Sequence, residues 1–556
     1  DIKGDLLLKK DDLGILDIKY DNFRKYYEGT GGYYDRFTTL NAPELDDELH
    51  MDIGHFELEL SPTLEDLHDV TFLYEHHNKV GTKSRLSWAE VEESVTRNIA
   101  PVPQKISEAV DVFALSGKTT LAGFDVAGEQ RYEKAETSSR RIERDISTTA
   151  DAADKIVRLQ YQDPTSEIYR TTLQGEKWFN EDKIFMGLAY RYESLENDEL
   201  ENIVQTSETG VISVGASEQK VNAYAQNVVD AHTITGNFMT KFSPDLSLTT
   251  KLKSDLMMRN GGAFYPTDST GDRVADAAEL NDVDNTVRIF GESFSLRYSG
   301  IKNTSLYADA DLNQVDNNIK EEQHNGGRLL WNRHTKAPVS GANFAIGGRF
   351  IPSSKVNVTA QFKRSFEDTD YDHPTKNRDS GINSAFFDAL QKAAYESSLR
   401  LTWKPIKRLQ NSFRYQLVDS IYESRIENEI EQGSKTLSHV FTYDLFMQPL
   451  DELLLNLSMS QQNFKTSTPI GARTSNHVPG FKADVQSILF SASYVPSEVL
   501  SYIGTFVYSQ SDNFNDFIAF GLPLGVSDAR YNGQLEMKWS PKDKDWSVGP
   551  HYGYYN

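Results

Sequence analysis

The chain has 556 residues, of which 38% are hydrophobic and 11% aromatic (27 Tyr and 29 Phe), with no Cys and a formal charge of −24. Mean hydropathy is −0.55 and no stretch approaches the ~20 apolar residues of a spanning helix, which excludes a helical membrane protein. The aromatic content excludes a disordered chain, the acidity removes nucleic acid as a partner, and the absence of Cys removes disulfides, thiol catalysis, zinc–thiolate sites and haem attachment through C-x-x-C-H.

Low hydropathy combined with many aromatics suits strands that have one apolar and one wet face. Alternation begins at Leu16, Ile18 and Tyr20 and returns over His55–Leu60, which ends in Leu60-Ser-Pro62. Glu75-His76-His77 follows as a metal-like fragment, read here as the opening of a solvated loop, and no metal-ligating set is assigned. Turns without Pro are expected near Asp11–Gly14, Ser116–Lys118, Trp178–Asn180 and Ser299–Ile301. Ser138–Leu159 and Ser380–Ser398 read as small loop helices. Ile184, Met186, Leu188, Tyr190 and Tyr192 alternate with Phe185, Gly187, Ala189, Arg191 and Glu193, so period two puts the two sets on opposite faces of a strand.

From there a unit repeats in which a bulky residue stands two places before Pro. The copies are Phe242-Ser-Pro244, Phe350-Ile-Pro352, Trp403-Lys-Pro405, Met447-Gln-Pro449, Tyr494-Val-Pro496 and Trp539-Ser-Pro541. Pro cannot donate to a ladder and belongs at strand ends. A ring two residues earlier lies on the lipid-facing set, at the level where amphipathic aromatics settle. Phe242, Phe350, Trp403, Tyr494 and Trp539, with Pro244, Pro352, Pro405, Pro496 and Pro541, are therefore the candidate interface girdle and turn residues.

The turns recur about every 45–65 residues, and two tilted spans of ~10 residues account for less than half of that interval. The remainder reads as long polar loops over Leu195–Ala231, Arg259–Asn285, Asp311–Pro338, Glu367–Glu396 and Asn463–Asp484. Asp282-Val-Asp284 and Asp368-Thr-Asp370-Tyr-Asp372 are read as acidic loop tips, since neither has the EF-hand glycine and terminal Glu. A soluble solenoid or sandwich would alternate as well, but it leaves the aromatics tied to one turn type unexplained.

The expected fold is therefore all-β, a transmembrane antiparallel up-and-down barrel of about 22–26 strands with short periplasmic turns and long extracellular loops. It is one domain over residues 1–556, placed in the cell outer membrane and in contact with its lipid. No signal peptide stands at Asp1, which fits a mature exported chain and a cytoplasmic one alike. If the chain begins and ends in half-hairpins, both ends lie at the long-loop side. Some 22 strands spaced ~4.8 Å and tilted ~40° close to a bore of roughly 40 Å, too wide for side chains to fill. A TonB-dependent transporter would fill it with an N-terminal plug, for which the early alternation leaves no room, so a separate filler or infolded loops are expected. No P-loop, G-x-S-x-G or H-E-x-x-H is present, and the chain is read as a non-enzyme.

Tyr20–Tyr34, Phe56–Pro62 with Tyr74-Glu-His-His, and Gly81–Trp88 together resemble the Mtr/Pio-type, decahaem-cytochrome-associated outer-membrane porins, although the N-terminal C-x-x-C of metal-reducing members is absent. The resemblance implies a porin acting as a sheath for a multihaem cytochrome electron conduit in extracellular electron transfer. A periplasmic multihaem c-type cytochrome would occupy the lumen, with a cell-surface cytochrome as a further partner. Haem would belong only to the partner, and this chain would hold no cofactor. The alternative is a large diffusion porin narrowed by its own loops, with Arg191, Glu193, Lys251, Lys253, Arg400 and Arg414 lining the lumen.

Overall fold

A computed structural model describes residues 2–10, 13–27, 49–63, 69–90, 97–144, 156–207, 220–268, 274–372, 388–426, 429–467, 481–514, 527–542 and 546–555. No helix occurs among them; they form 23 strands. The strands are β1 (Ile2–Lys10), β2 (Gly14–Tyr26), β3 (His50–Pro62), β4 (Val70–Glu90), β5 (Arg97–Leu121), β6 (Phe124–Arg144), β7 (Ile156–Phe179) and β8 (Ile184–Ser207). They continue with β9 (Lys220–Ser243), β10 (Leu246–Thr267), β11 (Ala277–Tyr298), β12 (Thr304–Asn325), β13 (Arg328–Lys336), β14 (Val339–Ser353), β15 (Val356–Asp370) and β16 (Ala389–Ile406). The last are β17 (Leu409–Ile426), β18 (Glu429–Leu450), β19 (Leu453–Ser467), β20 (Phe481–Ser497), β21 (Leu500–Phe514), β22 (Ser527–Trp539) and β23 (His551–Tyr555).

Each strand pairs antiparallel with the next from β1 to β12 and from β14 to β23. β12 pairs with β14 along its first half and with β13 along its far end, in a register that continues across the junction, so β13 and β14 run in line as one wall strand interrupted at Ala337 and Pro338. The whole forms one up-and-down meander. Among the described residues no ladder joins β1 to β23, and β1 is exposed along its whole length.

One rim carries the connections at 10–14, 62–70, 121–124, 179–184, 243–246, 298–304, 353–356, 406–409, 450–453 and 497–500, while the opposite rim also has a tight turn at Gly326 and Gly327. The turns expected near Asp11–Gly14, Trp178–Asn180 and Ser299–Ile301 fall on the first rim. The one expected at Ser116–Lys118 lies four residues further on, where Ala122 and Gly123 take φ of 53° and 74°. That left-handed pair is what a tight two-residue hairpin requires. Gly117 is instead a wall residue paired with Val70. β1 starts at the opposite rim and β23 runs toward it, as the half-hairpin expectation requires.

Where the chain is described, the polar segments read as long loops carry strand at both ends, while 208–219, 269–273, 373–387 and 468–480 lie outside the described residues. β8 and β9 run on through Ser207 and from Lys220, so the Leu195–Ala231 segment is a tall hairpin. The two expected loop helices are not formed where the chain is described: Ser138–Arg144 and Ile156–Leu159 are strand, as is Ala389–Ser398, while 145–155 and 380–387 lie outside the described residues. Asp282 and Asp284 are within β11, and Asp368 and Asp370 within β15, so neither acidic motif is a loop tip. The apolar window Ile518–Val526 falls outside the described residues.

Candidate functional site

Two surfaces of the wall follow from the period of two, and the exposed large side chains tell them apart. Leu173, Leu188, Ile234, Leu296, Leu306, Ile346, Leu399, Phe413, Phe490 and Leu535 are all exposed, and the registers carry them on one face of the sheet. A continuous apolar exterior of this kind is stable only against lipid. The face is bounded below by the bulky-x-Pro units. Phe242, Phe350, Trp403, Tyr494 and Trp539 are exposed on the apolar face at the short-turn rim. Pro244 and Pro352 lie in or beside their turns, Pro405 and Pro496 in the last residues of β16 and β20, and Pro541 just past β22.

A second aromatic ring bounds the face above, and the sequence reading missed it. Tyr190 and Tyr192 meet His232, the Tyr190 hydroxyl lying 2.9 Å from Nδ1. Tyr415 meets His439 in the same way at 2.9 Å and also packs on Phe441. Tyr132 pairs with Tyr169, Tyr508 with Tyr531, and Tyr74 with Phe113. Phe242 and His232 are separated by ten positions of β9. At ~3.3 Å per residue and a tilt of ~40°, the two rings stand about 25 Å apart, the height of an outer-membrane apolar band. The missed signal was a second aromatic or His on the lipid-facing set several places beyond many of the short turns, as at Tyr132, Tyr169, Tyr192, Tyr508 and Tyr531.

The opposite face is polar and lines the lumen. Arg191, Glu193, Lys251, Lys253, Arg400 and Arg414 all fall on it by register, as expected. Several are tied into the wall: Arg170 Nε donates to Glu193 Oε2 at 2.6 Å, Lys253 Nζ pairs with Asp255 at 2.6 Å, and Arg400 Nε donates to the Ser412 hydroxyl at 2.7 Å. Such cations are held by neighbours and are poor candidates for a freely moving selectivity element. Glu75 and His77 also belong to this face, in the body of β4 and not at a loop opening, whereas His76 points to the lipid side and pairs with Asp111 at 2.8 Å.

Above the upper ring the strands continue as a polar collar. Gln162 donates to both Glu199 and Glu201 at 3.0 and 3.1 Å. Burial, and then the Glu201 charge beside it, hold the Glu199 carboxyl above the usual carboxylate range. The Tyr224 hydroxyl donates to Asp198 at 2.6 Å, which holds the phenol above its ordinary value.

No protein-family model matches the sequence, and no curated protein sequence matches it. Solved structures do share the fold. The ferric-catecholate import receptor Fiu of E. coli K12, in its closed form, superposes with a TM-score of 0.57 at 10% identity, over 90% of this chain and 74% of its own. The outer membrane transporter YddB of Escherichia coli gives 0.52 at 10% identity, over 98% and 77%. The siderophore receptor PiuA of Acinetobacter baumannii gives 0.52 at 11%, over 99% and 80%.

These neighbours correct the resemblance to Mtr/Pio-type porins. Import receptors share the architecture and the wide bore, so the bore does not imply a cytochrome inside it. The described parts of the segments that suggested the resemblance are ordinary wall features: Tyr20–Tyr26 is the end of β2, Phe56–Pro62 the rim end of β3 and Gly81–Trp88 a polar stretch of β4, while 28–34 lie outside the described residues. The electron-conduit sheath, the multihaem cytochrome in the lumen and the cell-surface cytochrome fall with it, and so does the passive diffusion porin. The fold and the location stand: this chain forms a large antiparallel β-barrel of the cell outer membrane.

Proposed function

We propose that the chain forms the wall of an outer-membrane import receptor whose cargo is a metal chelate of the siderophore type. One observation carries the reading: a 23-strand sheet with short turns on one rim and tall polar strands on the other shares its architecture, over 90% of its length, with a ferric-catecholate import receptor. The tall collar supports it. Strands that continue above the upper aromatic ring build a rigid vestibule for capturing a solute outside the membrane, which a simple pore does not need. The role is transport, with specificity set by the collar and by whatever fills the lumen.

The test uses the full chain in detergent. Its tryptophan fluorescence is titrated with ferric catecholate, hydroxamate and mixed-donor chelates. Saturable quenching by one chelate class is the expected result. Absence of quenching by every class overturns the reading.

A further inference from the structure

We infer that β3 and β4 carry a site for a divalent transition-metal ion on the lumenal wall, built from His55, Glu57, Glu75 and His77. It does not rest on the import reading, because its ligand is the bare ion and not a chelate. The two strands hold mirror-image triplets, His55-Phe-Glu57 on β3 and Glu75-His-His77 on β4. The antiparallel register sets His55 opposite His77 and Glu57 opposite Glu75. Period two then puts all four side chains on the lumenal face, at the corners of a small rectangle.

The side chains close that rectangle. The two imidazoles stack with centroids 4.4 Å apart and planes 12° from parallel. His77 Nε2 lies 3.7 Å from Glu75 Oε2, and His55 Nε2 lies 4.0 Å from Glu57 Oε2. One donor atom from each of His55, Glu57 and Glu75 falls within 4.8 Å of the others. Metal–ligand bonds of ~2.0–2.2 Å put tetrahedral donors about 3.4 Å apart, close to the 3.7 and 4.0 Å of the two His–Glu pairs, so the remaining donors close in by side-chain rotation. His55 Nε2 is shielded from solvent and has no hydrogen-bond partner. A shielded ring nitrogen without a partner, on a residue clustered with two carboxylates, lacks the ligand that would satisfy it.

The surrounding charges allow the ion to enter. Lys19 Nζ sits 2.7 Å from Glu57 Oε1 and 3.3 Å from Asp17, while Arg131 is 3.5 Å from both Glu75 and Glu133. Each cation therefore keeps a second carboxylate when the metal takes the first. Two imidazoles with two carboxylates suit Zn²⁺, Co²⁺ or Ni²⁺ better than Ca²⁺ or Mg²⁺, which favour all-oxygen shells.

The experiment uses untagged, chelator-stripped full-length barrel in detergent. Co²⁺ is titrated while the visible absorption is recorded, and Zn²⁺ is then added. We expect one Co²⁺ per chain, with a d–d band that Zn²⁺ abolishes. His55→Ala with His77→Ala should weaken binding by about 100-fold or more, whereas His76→Ala, on the lipid side of the same strand, should leave it unchanged. Absence of a stoichiometric Co²⁺ band in the unmodified protein overturns the site, and so does a double variant that binds as the parent does. A band lost equally in His76→Ala moves the site elsewhere and also overturns it. Heat-modified migration on SDS gels confirms that each variant is folded.

Discussion

The assignment of faces makes a prediction that two adjacent residues can decide. Ile346 is exposed on the outer face of β14, four residues from the rim aromatic Phe350, and Ala345 faces the lumen beside it. Four residues at ~3.3 Å and a tilt of ~40° put Ile346 about 10 Å above the lower ring, close to the middle of a ~25 Å apolar band. Across the ladder its neighbours are Ala308 and Phe362, so a long side chain meets little steric resistance on the β12 side. The cost of Ile346→Arg is then mainly that of placing a guanidinium in lipid, about 2–4 kcal/mol at the midplane. Ala345→Arg adds the same group to a wet wall and should cost less than about 0.5 kcal/mol. Denaturant unfolding in phospholipid vesicles, followed by tryptophan fluorescence, measures both. Equal losses, or a larger loss for Ala345→Arg, would refute the division of the wall into lipid and lumen faces.

Three further outcomes follow from other parts of the wall. Trp403→Ala removes a half-exposed ring from the lower girdle and should lower stability in the same assay by about 1–2 kcal/mol, with Trp403→Phe keeping most of it. A Cβ on Gly347 would collide with the phenol end of Tyr307 and come 2.8 Å from the Ala360 carbonyl oxygen. Gly347→Ala should therefore cost about 1–3 kcal/mol, and Tyr307→Ala should restore only part of it because the carbonyl stays in place. Glu199 has a folded pKa raised by burial and by Glu201. The native state therefore holds its proton more tightly than the unfolded chain does, and stability falls as pH rises through that raised value. Glu199→Gln should stabilise the collar at neutral pH and have less effect near about pH 5, as measured by thermal unfolding at the two values.

The membrane-embedded part of this fold is legible in the sequence because there a strand has two different solvents. Leu399 and Leu401 alternate with Arg400 and Thr402, and Trp403 and Pro405 mark where the alternation stops. Above the upper ring both faces are wet. Glu196–Glu201 shows no apolar alternation, yet it is ladder-paired throughout with β7, so the pattern that reveals a strand in lipid is absent while the strand continues. The same loss of contrast made Ser138–Arg144 look helical. The upper ring was hidden for a different reason: its Tyr and His residues lack a Pro to mark them, and they become a ring only when ten positions of each strand are counted as height.

The lumenal side is less legible for a reason that also explains where its information lies. A polar residue every second position states that a face is wet and nothing about what wets it, so the width of the bore was open to a cytochrome reading that the fold neighbours do not support. Pairing adds what periodicity cannot. Glu75-His-His77 looks metal-like in one dimension but reads as a loop opening, and His55-Phe-Glu57 draws no notice at all; shifting β4 by a single residue would turn Glu75 and His77 toward lipid. Only the register that puts His55 opposite His77 gathers two imidazoles and two carboxylates on one patch of wall. That register is held by the apolar face behind it, where Phe56 packs on Tyr74 and Tyr74 on Phe113. The lipid-facing aromatics thus fix the geometry of the lumenal donors, and a variant such as Tyr74→Ala that loosens the outer packing should weaken Co²⁺ binding on the inner face without removing any ligand. Unchanged Co²⁺ affinity in that variant would show that the register is set elsewhere in the ladder.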